Sequence, residues 1–398
     1  MSKSLFLALG IVVALGQGCR SSVLAKLVGD KKGDNKAEAN AAIDPAVPSG
    51  DATDTGIGID PNALEKTSDI PKVEQAPATG ETAFSPSKNI DQTFLNSFLD
   101  EIAGPKGNGR GTGSPGNNQI AQRITEEFKA AGLQPGGVNG TYYQPFDAKG
   151  SATQNIIAVL PGETDDVIVI GAHMDHLGAR RGTVYYGADD NASGTTGLVT
   201  MAKAFAKSPI KLKRTLVFIS FSGEELGLLG SLFYVKNPTV PMAKIKFMVN
   251  MDMIGYSHNA LNIIGVETTL EGDRFARDLI SKTGITPTFL ASVAQGGSDH
   301  MPFEKLGVPV GVFHTGLHDN YHQPTDTVEK IDRPNLAIVT GLAADFAWSL
   351  ATVERIEPRP LALAPVVLSG VSSGIHSHGC EPGFASFEDI QNSLKELK

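Results

Sequence analysis

A chain of 398 residues, 41% hydrophobic and 19% charged, is long enough to bury a sizeable core and has the composition of a folded soluble protein. Its formal net charge of −9 lacks the basic footprint of a nucleic-acid binder, so nucleic acid is set aside as a partner. With only Cys19 and Cys380, no disulfide framework is expected.

In chain order, Met1-Ser-Lys3 precedes an apolar run over residues 5–16, too short to span a bilayer and fitting a secretory signal. "LGQGC" resembles the lipobox of bacterial lipoproteins, although Gly16 stands where that box usually has Leu. Residues 1–19 are therefore read as a signal peptide of lipoprotein type, with Cys19 lipidated. The expected location is the cell envelope, facing the periplasm or exterior, with membrane contact only through the lipid. Residues 20–85, rich in Ala, Gly, Asp, Lys, Pro and Thr without a helical or strand period, are expected to be a disordered tether.

A folded domain is expected over 86–356. Phe94, Leu95, Phe98, Leu99 and Ile102 recur at helical spacing, and "NQIAQRITEEFKAAGLQPGG" reads as an amphipathic helix with a glycine stop. The Gly-rich "GPKGNGRGTGSPGNN" between them has neither a preceding apolar strand nor a Gly-Lys-Ser/Thr ending, so it reads as a turn. "TYYQPF" and "QNIIAVLPG" read as strands. The apolar runs 166–173, 214–223, 245–255 and 308–316 then alternate with helices at about 193–207, from 226, and at about 273–283. A helix of about twenty residues follows Pro334. This alternation predicts an α/β fold: one mostly parallel central sheet covered by helices on both faces. The tail 357–398 is broken by Pro and Gly and ends in a short amphipathic helix.

Ligands of such sheets bind beyond the carboxyl ends of the strands. The residues leaving those ends are His173 and Asp175 in "GAHMDHLG", Glu224 and Glu225 in "FSGEELG", Asp252 in "NMDMIG", and the loop "HTGLHDNYHQPTDT"; "GADDNASG" follows the first strand. Imidazole and carboxylate without cysteine are the ligand set of a hydrolytic zinc site, or of manganese or cobalt in like geometry. His173, Asp190, Glu225, Asp252 and His322 exceed what one catalytic zinc needs and suit two divalent ions sharing a carboxylate. Successive residues at a strand end point in opposite directions, so Glu225 is expected to bind metal while Glu224 faces the attacking water. His314, His318 and His322 are spaced by four, but Gly316, Asn320 and Pro324 argue against a helical metal face, and only His322 is assigned. His176 and His300 are expected to line or support the pocket, and Asp299 to hold a loop.

"HMD", "GADDNASG", "GEELG", "NMDMIG", "GGSDHMPF" and "YHQPTDT", in this order over residues 89–355, resemble the zinc-dependent exopeptidase family of bacterial leucyl aminopeptidases, glutamate carboxypeptidase and glutaminyl cyclases. The resemblance implies that Asp190 bridges two ions, most simply zinc, that His173 and Asp252 complete one site, and that Glu225 and His322 complete the other. It makes Glu224 the general base, Asp175 the partner of the far nitrogen of His173, and Tyr321 a substrate-binding donor to the oxyanion. The implied activity is aminopeptidase hydrolysis of peptide substrates. A glutaminyl cyclase or carboxypeptidase of the same fold, or a non-catalytic binding lipoprotein, are the alternatives.

Overall fold

In the computed structural model, residues 84–256, 260–291 and 297–359 are described, with residues 392, 395 and 397. The segments expected to be a signal peptide and a tether, Cys19, and most of the tail lie outside them. Every described element belongs to the unit Phe84–Lys398.

Several helices begin where a side chain satisfies one of the first free amides. Helix α1 (Gln92–Ile102) is capped by Asp91, whose carboxylate accepts from Phe94 N, and α2 (Pro115–Ala130) by Ser114, accepting from Asn117 N. The long last helix α7 (Arg333–Thr352) is capped by Asp332, accepting from Asn335 N. Between them lie α3 (Gly194–Phe205), α4 (Leu229–Lys236), α5 (Leu270–Ile280) and α6 (His300–Lys305).

The strands are β1 (Gln134–Pro135), β2 (Tyr143–Ala148), β3 (Ser151–Leu160), β4 (Thr164–His173), the small hairpin β5 (Gly178–Arg180) and β6 (Thr183–Tyr185), then β7 (Arg214–Phe221), β8 (Ile245–Met251), β9 (Ala260–Ile264), β10 (Thr286–Leu290) and β11 (Val310–His314). Among the described residues the main sheet runs β1-β3-β7-β4-β8-β11-β9-β10, with β2 also on β3. The centre, β7-β4-β8-β11, is parallel. The flanks are mixed: β3 runs antiparallel to β7 and β9 antiparallel to β11, while β10 is parallel to β9.

Period-two alternation sends successive central-strand side chains to opposite faces. Ile168 and Ile170 of β4, with Leu216 and Phe218 of β7, join a core under α1, α2, α3, α5 and α7. Val167, Val169, Val217 and Ile219 join a smaller core with Leu232, Tyr234 and Val235 of α4 and Phe303 of α6. Burial on both faces is why these strands read as unbroken apolar runs. It also leaves their carboxyl ends as the places where the chain can present polar groups.

Candidate metal centre

Strands β4 and β7 are in register to their last residues, His173 beside Phe221. The segments leaving them therefore emerge together. Just after β7, Gly223 turns the chain with φ +76°, a conformation natural to glycine, and places Glu224 and Glu225 over the end of β4. Asp252 follows the end of β8, the other neighbour of β4.

His173 is 1% exposed. Its Nε2 lies 3.3 Å from Asp252 Oδ1, 3.5 Å from Asp190 Oδ1 and 3.9 Å from Glu224 Oε2. His322 Nε2 lies 3.0 Å from the other oxygen of Asp190, Oδ2, and 3.3 Å from Glu225 Oε2. Asp190 thus turns one carboxylate oxygen toward each set, between the His173–Asp252 side and the His322–Glu225 side. All five sequence-predicted ligands are brought together. Glu224 and Glu225 diverge as adjacent strand-end residues should, the first toward His173 and the second toward His322.

Two placements differ from expectation. The Asp175 carboxylate stands 3.8 Å from His173 Nδ1, outside hydrogen-bond reach. The ring is instead steadied by the Asp175 backbone oxygen at 3.2 Å; a carbonyl only accepts, so Nδ1 carries the hydrogen and Nε2 is left for the cluster. The carboxylate itself accepts from Thr112 Oγ1 at 2.7 Å and from Glu224 N at 3.3 Å, holding the turn that carries Glu224. The second is His176, expected to line or support the pocket and found within the cluster itself. Its Nδ1 lies 2.8 Å from Glu225 Oε1 and 3.6 Å from Asp190 Oδ2, so it faces the same carboxylates as His322.

The supporting residues were largely hidden in the sequence. Arg110, fully buried, donates to the backbone oxygens of Met174, Ile102, Tyr186 and Gly187, tying the loop after β4 to the loop that carries Asp190. Any side chain at Gly187 would collide with the His176 ring 2.3 Å away. Asp326 accepts from the amides of Asp189 and Asp190. Asp189 accepts from Gly255 N and pairs with His318 Nε2 at 3.0 Å, while His314 Nδ1 donates to the Asp252 carbonyl at 2.9 Å. Asp326 lies in "YHQPTDT", which was read only as a family motif. Arg110 sat in a stretch legible only as a turn.

The electrostatics follow from crowding acids out of water. Burial alone would lower His173, but Glu224, Asp252 and Asp190 hold it well above its ordinary value; Glu225 and Asp190 likewise overcome burial and hold His322 up to about 11. Burial raises carboxyls, yet His173 brings Asp252 down to about 2, and His322 and His176 keep Glu225 well below its usual range. Glu224 goes the other way: burial, with Glu225, Asp252 and Asp299 nearby, pushes it well above, against the pull of His173. Two adjacent glutamates so separated are suited to different tasks, one to stay ionised and one to trade a proton. Buried acids converging on imidazole nitrogens, with Asp190 presenting an oxygen to each half, fit divalent cations as a donor set.

A cavity of about 270 Å³ opens over the His173 side, lined also by Met253, Ile264, Val312, Leu317 and Tyr321.

A mixed α/β sheet that gathers histidines and carboxylates at its strand ends is an arrangement able to hold metal ions. Residues 155–347 match Peptidase family M28, and the family resemblance carried by the motifs stands. Leupeptin-inactivating enzyme 1 of Streptomyces exfoliatus is 31% identical over 66% of this chain and 62% of its own length. Leucine aminopeptidase 1 of Trichophyton rubrum is 28% identical over 58% and 67%. The chain thus spans about three fifths of the length of the curated relatives it matches. Among solved structures, the LapA aminopeptidase of Legionella pneumophila aligns with a TM-score of 0.57 at 20% identity, covering 69% of this chain and 78% of that one. The zinc aminopeptidase BSAP of Bacillus subtilis gives 0.55 at 18%, covering 69% and 98%. Porphyromonas gingivalis glutaminyl cyclase gives 0.53 at 19%, covering 65% and 98%. These structural likenesses show the fold.

Proposed function

We propose that the protein is a metallo-exopeptidase, an aminopeptidase that removes N-terminal residues from peptides with two divalent ions, zinc by preference, and Glu224 as base. The observation that carries this reading is the two-sided presentation of Asp190 to His173 and His322. His173, Asp190 and Asp252 would hold one ion; Asp190, Glu225 and His322 would hold the other, with His176 behind Glu225. When bound, the ions supply Lewis acidity that polarises the scissile carbonyl and acidifies water.

The protein's own groups divide the remaining work. Glu224, its carboxyl raised by burial and by the neighbouring acids, accepts a proton from the attacking water and delivers it to the leaving amine nitrogen. Tyr321 lines the cavity, and its removal from water beside Asp190 and Glu225 holds the phenol well above its ordinary value. It therefore keeps its proton and can donate to the developing oxyanion. The names of the relatives, leucine aminopeptidases among them, support peptide substrates. The N-terminal apolar run and Cys19 support export with lipid attachment.

The resemblance in fold to glutaminyl cyclase keeps a second reading in view, and a cleavage profile separates the two. Purified protein incubated with a peptide mixture should shorten peptides from the N-terminus and stop on chelation. Release from the C-terminus, or pyroglutamate formation without shortening, would replace the reading.

A further inference from the structure

The cavity over the His173 side has an uneven wall. Val312 and Ile264 are register partners on β11 and β9, so their side chains share a face, and with Met253 and Leu317 they make an apolar lining. His314 comes two residues after Val312, so alternation sends it to that same face. The run "VPVGVFH" therefore ends on an imidazole at a place where the pattern asks for another apolar residue. His314 Nδ1 donates to the Asp252 carbonyl at 2.9 Å, which leaves Nε2 as the ring atom able to meet a ligand at the cavity wall. His300 lines the same cavity. It is 1% exposed, and neither of its ring nitrogens has a hydrogen-bond partner among the described residues.

A neutral imidazole offers one N–H and one lone pair. An apolar pocket that also holds an unmet donor and acceptor is a poor match for a purely aliphatic side chain, which leaves both unsatisfied. A carboxamide supplies both partners at once, without the cost of burying a charge.

We propose that this cavity selects N-terminal residues whose side chains end in an uncharged amide, glutamine or asparagine, with His314 as the specificity-determining residue. The proposal rests on the aminopeptidase reading and names its substrate class.

The test uses near-isosteric pairs of aminoacyl-coumarin substrates, glutamine against methionine and asparagine against leucine, with the full-length, metal-loaded protein. For the wild type, kcat/KM for each amide is expected above that of its apolar counterpart. His314→Phe should lower both ratios by at least tenfold, and His314→Gln, which keeps an acceptor, should recover most of that loss, with metal content measured for each variant. A wild-type preference for the apolar member of either pair would overturn the proposal, as would ratios unmoved by His314→Phe in a variant that retains its metal. Should His314→Phe fail to fold, the wild-type ratios alone decide. Hydrolysis of all four substrates with the wrong order refutes the pocket and leaves the aminopeptidase standing. Release from none of them ends the aminopeptidase reading and this one with it. Pyroglutamate formed from the glutamine substrate would uphold amide recognition while replacing hydrolysis as the reaction.

Discussion

Replacing Glu224 by glutamine keeps the volume of the side chain and removes only its ability to take a proton. Glu224 Oε2 lies 3.9 Å from His173 Nε2, and the other groups facing that nitrogen, Asp190 and Asp252, are retained in the variant. Both ions should therefore remain bound. A positioned general base is worth about 10²–10⁴ in rate, and the raised carboxyl of Glu224 suits that task. We expect kcat to fall about a thousandfold, roughly 4 kcal/mol of barrier, with KM little changed. The fold should not suffer. Burial raises the Glu224 carboxyl in the folded state, so the folded chain holds that proton more tightly than the unfolded chain. Its contribution to stability is present at low pH and is lost as pH rises from the ordinary carboxylate range through the raised value. Chelator-treated Glu224→Gln should accordingly match the wild type near pH 4 and melt at a higher temperature near pH 8. The assays are steady-state kinetics on a leucyl-nitroanilide, elemental analysis and thermal unfolding at both pH values. Turnover within tenfold of the wild type, with both ions bound, would refute the assignment of Glu224 as base.

Asp190→Asn should cost at least one ion per chain and nearly all turnover, because its two oxygens serve both histidine sides; elemental analysis showing the wild-type metal content would contradict this. With His322 held up to about 11 and His173 well above its usual value in the cation-free cluster, metal binding at pH 7 should release about two protons, read as the buffer dependence of the calorimetric enthalpy. In the chelated protein the stabilising charge of His322 is fully present below its ordinary value near 6.5 and lost as pH rises toward about 11, so the apo melting temperature should decline over that window. Arg110→Ala leaves the carbonyls of Met174, Tyr186 and Gly187 without their donor and should destabilise the fold by about 3–5 kcal/mol, seen in a denaturant midpoint. Cys19→Ser should shift the protein from the membrane to the soluble fraction of the envelope.

The central parallel strands were legible because burial on both faces forces unbroken apolar runs, as in "DVIVIGAH" and "RTLVFISF". The site was legible because rigid strand ends confine its side chains: His173, Glu224, Glu225 and Asp252 each follow such a run within a few residues. His322 sits on a loop and was reachable through the family motif. The features that were not legible depend on contacts between distant segments. The short strand Ala260–Ile264 and the edge strand Thr286–Leu290 lack the strong apolar run of central strands, and their pairing carries the information. Arg110 reads as one charge among glycines, yet folding surrounds it with backbone carbonyls. Asp175 sits where a histidine partner would be expected, but its carboxylate is engaged by Thr112 and by the Glu224 amide. His176 carried no spacing signal separating a pocket wall from a neighbour of Glu225. No helix among the described residues is long and apolar enough to cross a membrane.

The central claim is that Asp190 joins two cations held by residues from separate strand ends. Anomalous diffraction at the zinc edge, from crystals grown with zinc, tests it most directly. Two peaks should flank the Asp190 carboxylate, one beside His173 and Asp252 and the other beside Glu225 and His322. A single peak, or density seated away from Asp190, would contradict it.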